Sequence, residues 1–183
     1  MKKLLSMLFI MTLLTGCSCT ATLTKDTPTK KVEHFFNDYQ TLDSDVLAQL
    51  NTVVDQETSF TEEQKETYRD IMKKHYQGLT YEIKDEVIDG DNATVTVEIE
   101  VKDYSKIISA SNTYLSEHPN EFNDEKGVYD VSLFNKYRLE QLKNANEKVK
   151  YTLNLTLTKV DDEWKLDKLN DVDESKIHGT YNY

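Results

Sequence analysis

The spacing of apolar residues along the chain changes from a helical to a strand period and back. From Val32 the positions Val32, Phe35, Phe36 and Tyr39 recur at intervals of three and four, which gathers their side chains on one face of a helix. A polar break from Thr41 to Ser44 supplies capping residues, and Val46, Leu47, Leu50, Val53 and Val54 predict a second helix. Thr61-Glu62-Glu63-Gln64 is a capping box, in which the Thr61 hydroxyl and the Gln64 amide each satisfy a backbone N–H near the other. It opens a third helix carrying Tyr68, Ile71, Met72, His75 and Tyr76 on one face, with Gly78 placed to end it.

Beyond Leu79 the period falls to two. Residues Leu79 to Val101 predict a hairpin turning at Asp89-Gly90-Asp91-Asn92. Its second strand alternates cleanly: Ala93, Val95, Val97, Ile99 and Val101 point to a dry face, and Thr94, Thr96, Glu98, Glu100 and Lys102 to a wet one. In the first strand Tyr81, Ile83 and Val87 alternate in the same way, except that Asp85 falls in the apolar register. Either a bulge shifts the register there, or a carboxylate faces the covered side of the sheet.

A helical stretch then separates this hairpin from a second one. Tyr104, Ile107, Ile108, Tyr114 and Leu115 predict a helix that ends before Pro119, and Asp130 caps another bearing Leu133, Phe134, Tyr137 and Leu142. Val149, Tyr151, Leu153, Leu155 and Leu157 resume the alternation, Asp161-Asp162-Glu163 turns the chain, and Trp164 with Leu166 begins a last strand. The residues from Asn170 onward are polar and without a period, so 171–183 is expected to be a loose tail. Helices followed by antiparallel hairpins give an α+β fold with helices on one face of a sheet of about four strands.

The N-terminal residues change this picture by adding an address. Lys2 and Lys3 precede an apolar run of eleven residues, Leu4 to Leu14, which has the length of a signal-peptide core. A membrane-spanning helix needs about twenty apolar residues. Leu14-Thr15-Gly16-Cys17 resembles, position by position, the lipobox of bacterial lipoproteins. The resemblance implies acylation of the Cys17 sulfur and cleavage between Gly16 and Cys17, leaving the protein anchored to the extracytoplasmic face of the cell membrane. Residues 1–16 are then the leader and 17–31 the lipidated cysteine with a Thr-rich spacer of about 20 Å reach. The domain is expected to occupy residues 32–170.

Charge and cysteine content narrow the partners. The chain has 22 Lys and Arg against 33 Asp and Glu, and loss of Lys2 and Lys3 with the leader makes the mature form two charges more acidic than the −11 of the whole. Binding to a phosphodiester backbone requires a basic surface, so nucleic acid is not expected as a partner. Residence at a membrane must come from the lipid anchor rather than from a basic face. Cys17 and Cys19 are the only cysteines, so the domain itself holds no disulfide. Cys19 reads as an incidental thiol, or else as a second acylation point or an intermolecular bridge.

The order of elements from Val32 to Leu169, ending in the Asp161 to Leu166 turn and strand, resembles the cone-shaped NTF2-like fold. In particular it is similar to small lipoproteins of Gram-positive bacteria that carry such a domain. The resemblance implies a pocket between helices and curved sheet, which members of that fold use for catalysis or for plain binding. Candidates to line it are Tyr68, His75, Asp85 and Tyr151, although no spacing makes them a set. His75 alone on a helical core face reads either as a packed, hydrogen-bonded residue or as an acid–base group.

No Gly-rich phosphate loop, paired-His metal motif or nucleophile elbow is present, and no cofactor or metal is expected. The acidic run Asp167, Asp171, Asp173 and Glu174 lacks the glycine and closing glutamate of a calcium loop. The first expectation is therefore non-catalytic binding of a small ligand or an envelope protein. An envelope enzyme using Asp85 as acid or base, and a structural partner of a membrane complex, are the alternatives.

Overall fold

The computed structural model describes residues 26–182. Its elements run α1 (Pro28–Thr41), α2 (Ser44–Gln56), α3 (Glu62–Gln77), β1 (Thr80–Asp89), β2 (Asn92–Lys102), α4 (Tyr104–Glu117), α5 (Val131–Lys143), β3 (Lys148–Val160), β4 (Glu163–Leu166) and α6 (Asp171–Ile177). A short 3₁₀ turn at Pro119–Phe122 joins α4 to α5. The fold is α+β, with one open antiparallel sheet in the order β1-β2-β3-β4. Strands β2 and β3 are neighbours in the sheet even though two helices separate them along the chain.

The alternation in β2 and β3 becomes one continuous dry face because their register sets like against like. Ala93 pairs with Leu157, Val95 with Leu155, Val97 with Leu153 and Ile99 with Tyr151. Val32 and Phe36 of α1 and Ile177 of α6 complete this core. The opposite face is charged and internally paired: Lys150 reaches Glu98 at 2.8 Å and Lys148 reaches Glu100 at 2.9 Å. The two hairpins turn tightly. Gly90 takes a positive φ in the first, and Asp161 and Asp162 both do so in the second, the combination of a type I′ turn.

At Asp85 the first of the two readings holds. The register between β1 and β2 shifts between Ile83 and Asp85, and the extra residue turns the carboxylate to solvent. There it accepts the Glu86 backbone N–H at 2.9 Å.

Helices α2, α3, α4 and α5 enclose a second core of Val46, Leu50, Val54, Ile71, Met72, Tyr76, Tyr104, Leu139 and Leu142. The capping box forms as expected, with Thr61 and Gln64 bonded reciprocally. Gln64 is buried and also donates from Nε2 to the Ser132 carbonyl at 2.8 Å. Asn135 likewise donates to the Ser59 carbonyl at 2.9 Å. Tyr39 lies between the two cores, edge-on to Tyr76.

Two boundaries differ from expectation. The first helix begins at Pro28, four residues earlier than Val32, because Thr27 caps it and proline is well suited to a first helical turn, where its missing N–H costs nothing. Its start is held to the sheet: Asp26 accepts the Trp164 N–H at 2.8 Å, and Thr29 donates to Glu86. The second difference lies at the C-terminus. Residues 171–182 are not loose; Asn170 caps α6, Asp173 and Ile177 are buried, and Ile177 is fully enclosed.

Candidate functional site

The C-terminal segment closes the interior around His75. This histidine sits on the last turn of α3 and is 1% exposed. Its Nε2–H donates to the Ile177 carbonyl at 2.8 Å, which leaves Nδ1 as the bare nitrogen of the neutral ring. Nδ1 is buried without a hydrogen-bond partner. The Tyr104 ring lies against the imidazole, with centroids 4.9 Å apart. Burial depresses the His75 pKa to about 4, with the nearby charges of His178 and Lys102 acting in the same direction and the Ile177 bond opposing them.

Gly179 makes this closure possible. Its φ is +69°, and a Cβ there would fall 2.1 Å from the Lys102 carbonyl oxygen and 2.9 Å from His75 Cε1. Only glycine combines that conformation with that approach. The Gly179 carbonyl in turn accepts the Tyr104 and Ser105 N–H groups at 2.8 and 3.0 Å, fixing the start of α4. Alongside, the Tyr76 hydroxyl and His178 Nδ1 are 3.1 Å apart. Burial raises the Tyr76 and Tyr104 pKa values well above the ordinary phenol range and lowers that of His178.

The other sequence candidates lie in separate surroundings. Tyr68 belongs to the helical core, edge-on to Phe60 at 5.8 Å, and burial raises its pKa. Tyr151 lies under the sheet's dry face, its ring edge-on to Tyr181 at 5.8 Å. Asp85, on the bulge, faces solvent, which removes it as a buried acid or base. His75 and Tyr151 are related only through the C-terminal segment that covers both, and none of the four lines the two cavities on the helical side. Gly16 and Cys17 lie outside the described residues.

Those two cavities have different chemistry. A groove of about 440 Å³ runs along α4, where Ser109, Ala110 and Thr113 form a shallow floor and Asn182 one edge. A smaller cavity of about 160 Å³ opens between α3, α5 and the end of β2. Among the described residues, no three His, Cys, Asp or Glu side chains stand close enough together to hold a metal ion. No helix among them is long and apolar enough to cross a membrane.

Sequence reasoning missed the C-terminal closure and the smaller cavity. The closure had a local signal, since Asn170 stands three residues before Asp173 as a cap and Gly179 follows Ile177 as a stop. A seven-residue helix is too short for its period to show above a polar background. The cavity had none, because its walls come from three distant segments.

In comparisons with known proteins, no family model, no curated protein and no solved structure matched the chain. What the fold defines is thus a class: an α+β domain with an open four-stranded antiparallel sheet whose interior is closed by the chain's own C-terminal segment.

Proposed function

We propose that the protein is a lipid-anchored lipoprotein on the extracytoplasmic face of the cell membrane, and that its NTF2-like domain binds a small ligand or an envelope protein without catalysis. The anchor reading is supported by Lys2, Lys3, the short apolar run and the lipobox-like Leu14-Thr15-Gly16-Cys17. One observation carries the non-catalytic part: the histidine placed between helices and sheet, His75, is buried, held neutral and enclosed by Ile177 and Gly179. A base buried in that way has no path to a substrate proton. The carboxylate that would replace it, Asp85, faces solvent on the sheet bulge.

Metabolic labelling with palmitate tests the anchor. The wild-type chain takes up label and fractionates with membranes, while Cys17→Ser takes up none and is released or left unprocessed. Label retained by Cys17→Ser contradicts the reading. Incubation of the purified protein with cell-envelope extracts tests the absence of catalysis, and a product that accumulates with time contradicts it.

A further inference from the structure

The smaller cavity collects positive charge in an acidic protein. Lys74 near the end of α3, Lys102 at the end of β2 and Lys143 at the end of α5 all line its 160 Å³. On the wet face of the sheet, by contrast, Lys148 is matched to Glu100 at 2.9 Å and Lys150 to Glu98 at 2.8 Å. Among the described residues no carboxylate stands within ion-pairing distance of any of these three, although Asp70 shares the wall.

Helix dipoles explain part of this. Lys74 and Lys143 occupy the last turns of their helices, where a cation meets the partial negative charge of the free carbonyls. Lys102 ends a strand and has no such reason to be there. Ile71, Leu142 and Tyr104 contribute the apolar part of the cavity wall, and Thr67 adds a hydroxyl to the polar part. The volume corresponds to about five waters, below the size of a cofactor site and adequate for a single tetrahedral oxyanion.

We propose that this cavity binds a phosphate group, as inorganic phosphate or as the end of a phosphomonoester, with Lys74, Lys102 and Lys143 supplying its countercharge. Lysines act here as point charges, a common mode of phosphate recognition. The open mouth leaves room for the rest of an ester. The site also has a direction. Asp26 and Thr29 bind the chain's entry to the turn end of the sheet, whereas Lys102 closes the far end of β2, roughly 33 Å away at strand rise. The cavity therefore lies at the end of the sheet opposite to the chain's entry. The ligand class deepens the binding role proposed above and rests on that reading.

The test is a titration of the full chain, purified in detergent, with inorganic phosphate and separately with glycerol 3-phosphate, followed by ³¹P NMR and calorimetry. Saturable binding is expected for at least one probe, and the tighter of the two identifies the source. Lys102→Gln should weaken it by about tenfold, the loss of one charge-assisted contact, while Lys165→Gln on β4 leaves it unchanged. If Lys102→Gln fails to fold, Lys143→Gln on the exposed helix end carries the same expectation.

Absence of saturation up to about 10 mM, far weaker than millimolar binding, overturns the inference, as does unchanged affinity in a folded lysine variant. Such a failure leaves the non-catalytic reading intact. Free phosphate appearing from glycerol 3-phosphate would contradict that reading and leave the site standing.

Discussion

The two cores of this domain are built by different rules. Under the sheet, Val95, Val97, Ile99 and Leu153 are fully buried on a face formed by unbroken alternation, and the only decision the sequence has to make is parity. Among the helices, polar side chains fix how the elements meet: Gln64 to the Ser132 carbonyl, Asn135 to the Ser59 carbonyl and Tyr76 to His178. The sheet core depends on volume, and the helical core depends on volume and on side-chain hydrogen bonds between its elements. His75 and Gly179 belong to the seam between them, where α3, β2, α4 and α6 converge on backbone carbonyls.

Breaking that seam should have the largest effect. Gly179→Ala adds a methyl where φ is +69° and the Lys102 carbonyl leaves no space, so a loss of about 3 to 4 kcal/mol is expected from conformational strain and overpacking together. Thermal unfolding followed by tryptophan fluorescence, from Trp164 of the sheet core, and by circular dichroism should shift together. Separate transitions would show that the cores are independent.

Acid should act on the same seam. The folded His75 pKa of about 4 lies below the unfolded value of 6.5, so between those values the unfolded chain binds a proton that the folded one excludes. The stability is fully present above pH 6.5 and declines by about 3 kcal/mol as pH falls toward 4. Denaturant titrations across that window measure the slope, and His75→Gln should flatten it.

The cores can also be compared by equal truncations. Leu153→Ala, in the fully buried sheet core, is expected to cost about 3 kcal/mol, and Leu142→Ala, beside the lysine-lined cavity, about 2 because part of its surface already meets open space. Equal costs would remove the distinction. The smallest change belongs to the bulge: Asp85→Asn is exposed and should alter stability by less than about 0.5 kcal/mol.

The legibility of these regions in the sequence follows the same division. Strands β2 and β3 are readable residue by residue because side-chain parity is a local property and both faces keep it. The capping box at Thr61 and Gln64 and the Asp130 cap are readable for the same reason. Asp85 announced an irregularity and left its sense open, since a register shift is decided by the partner strand. His75 occupied the expected helical face, but its partner, the Ile177 carbonyl, is a backbone group 102 residues away. The three lysines of the cavity carry no mutual spacing, and only the packing of α3 and α5 on the end of β2 brings them to one wall.

The ionisation of His75 tests the central claim, a closed interior with its histidine out of reach, most directly. A pH titration of the His75 ring followed by NMR in the intact chain should show Nε2 protonated, Nδ1 bare and no transition until about pH 4. A transition near the ordinary value of 6.5 would mean that water reaches the ring, and would return His75 to the position of an available acid–base group.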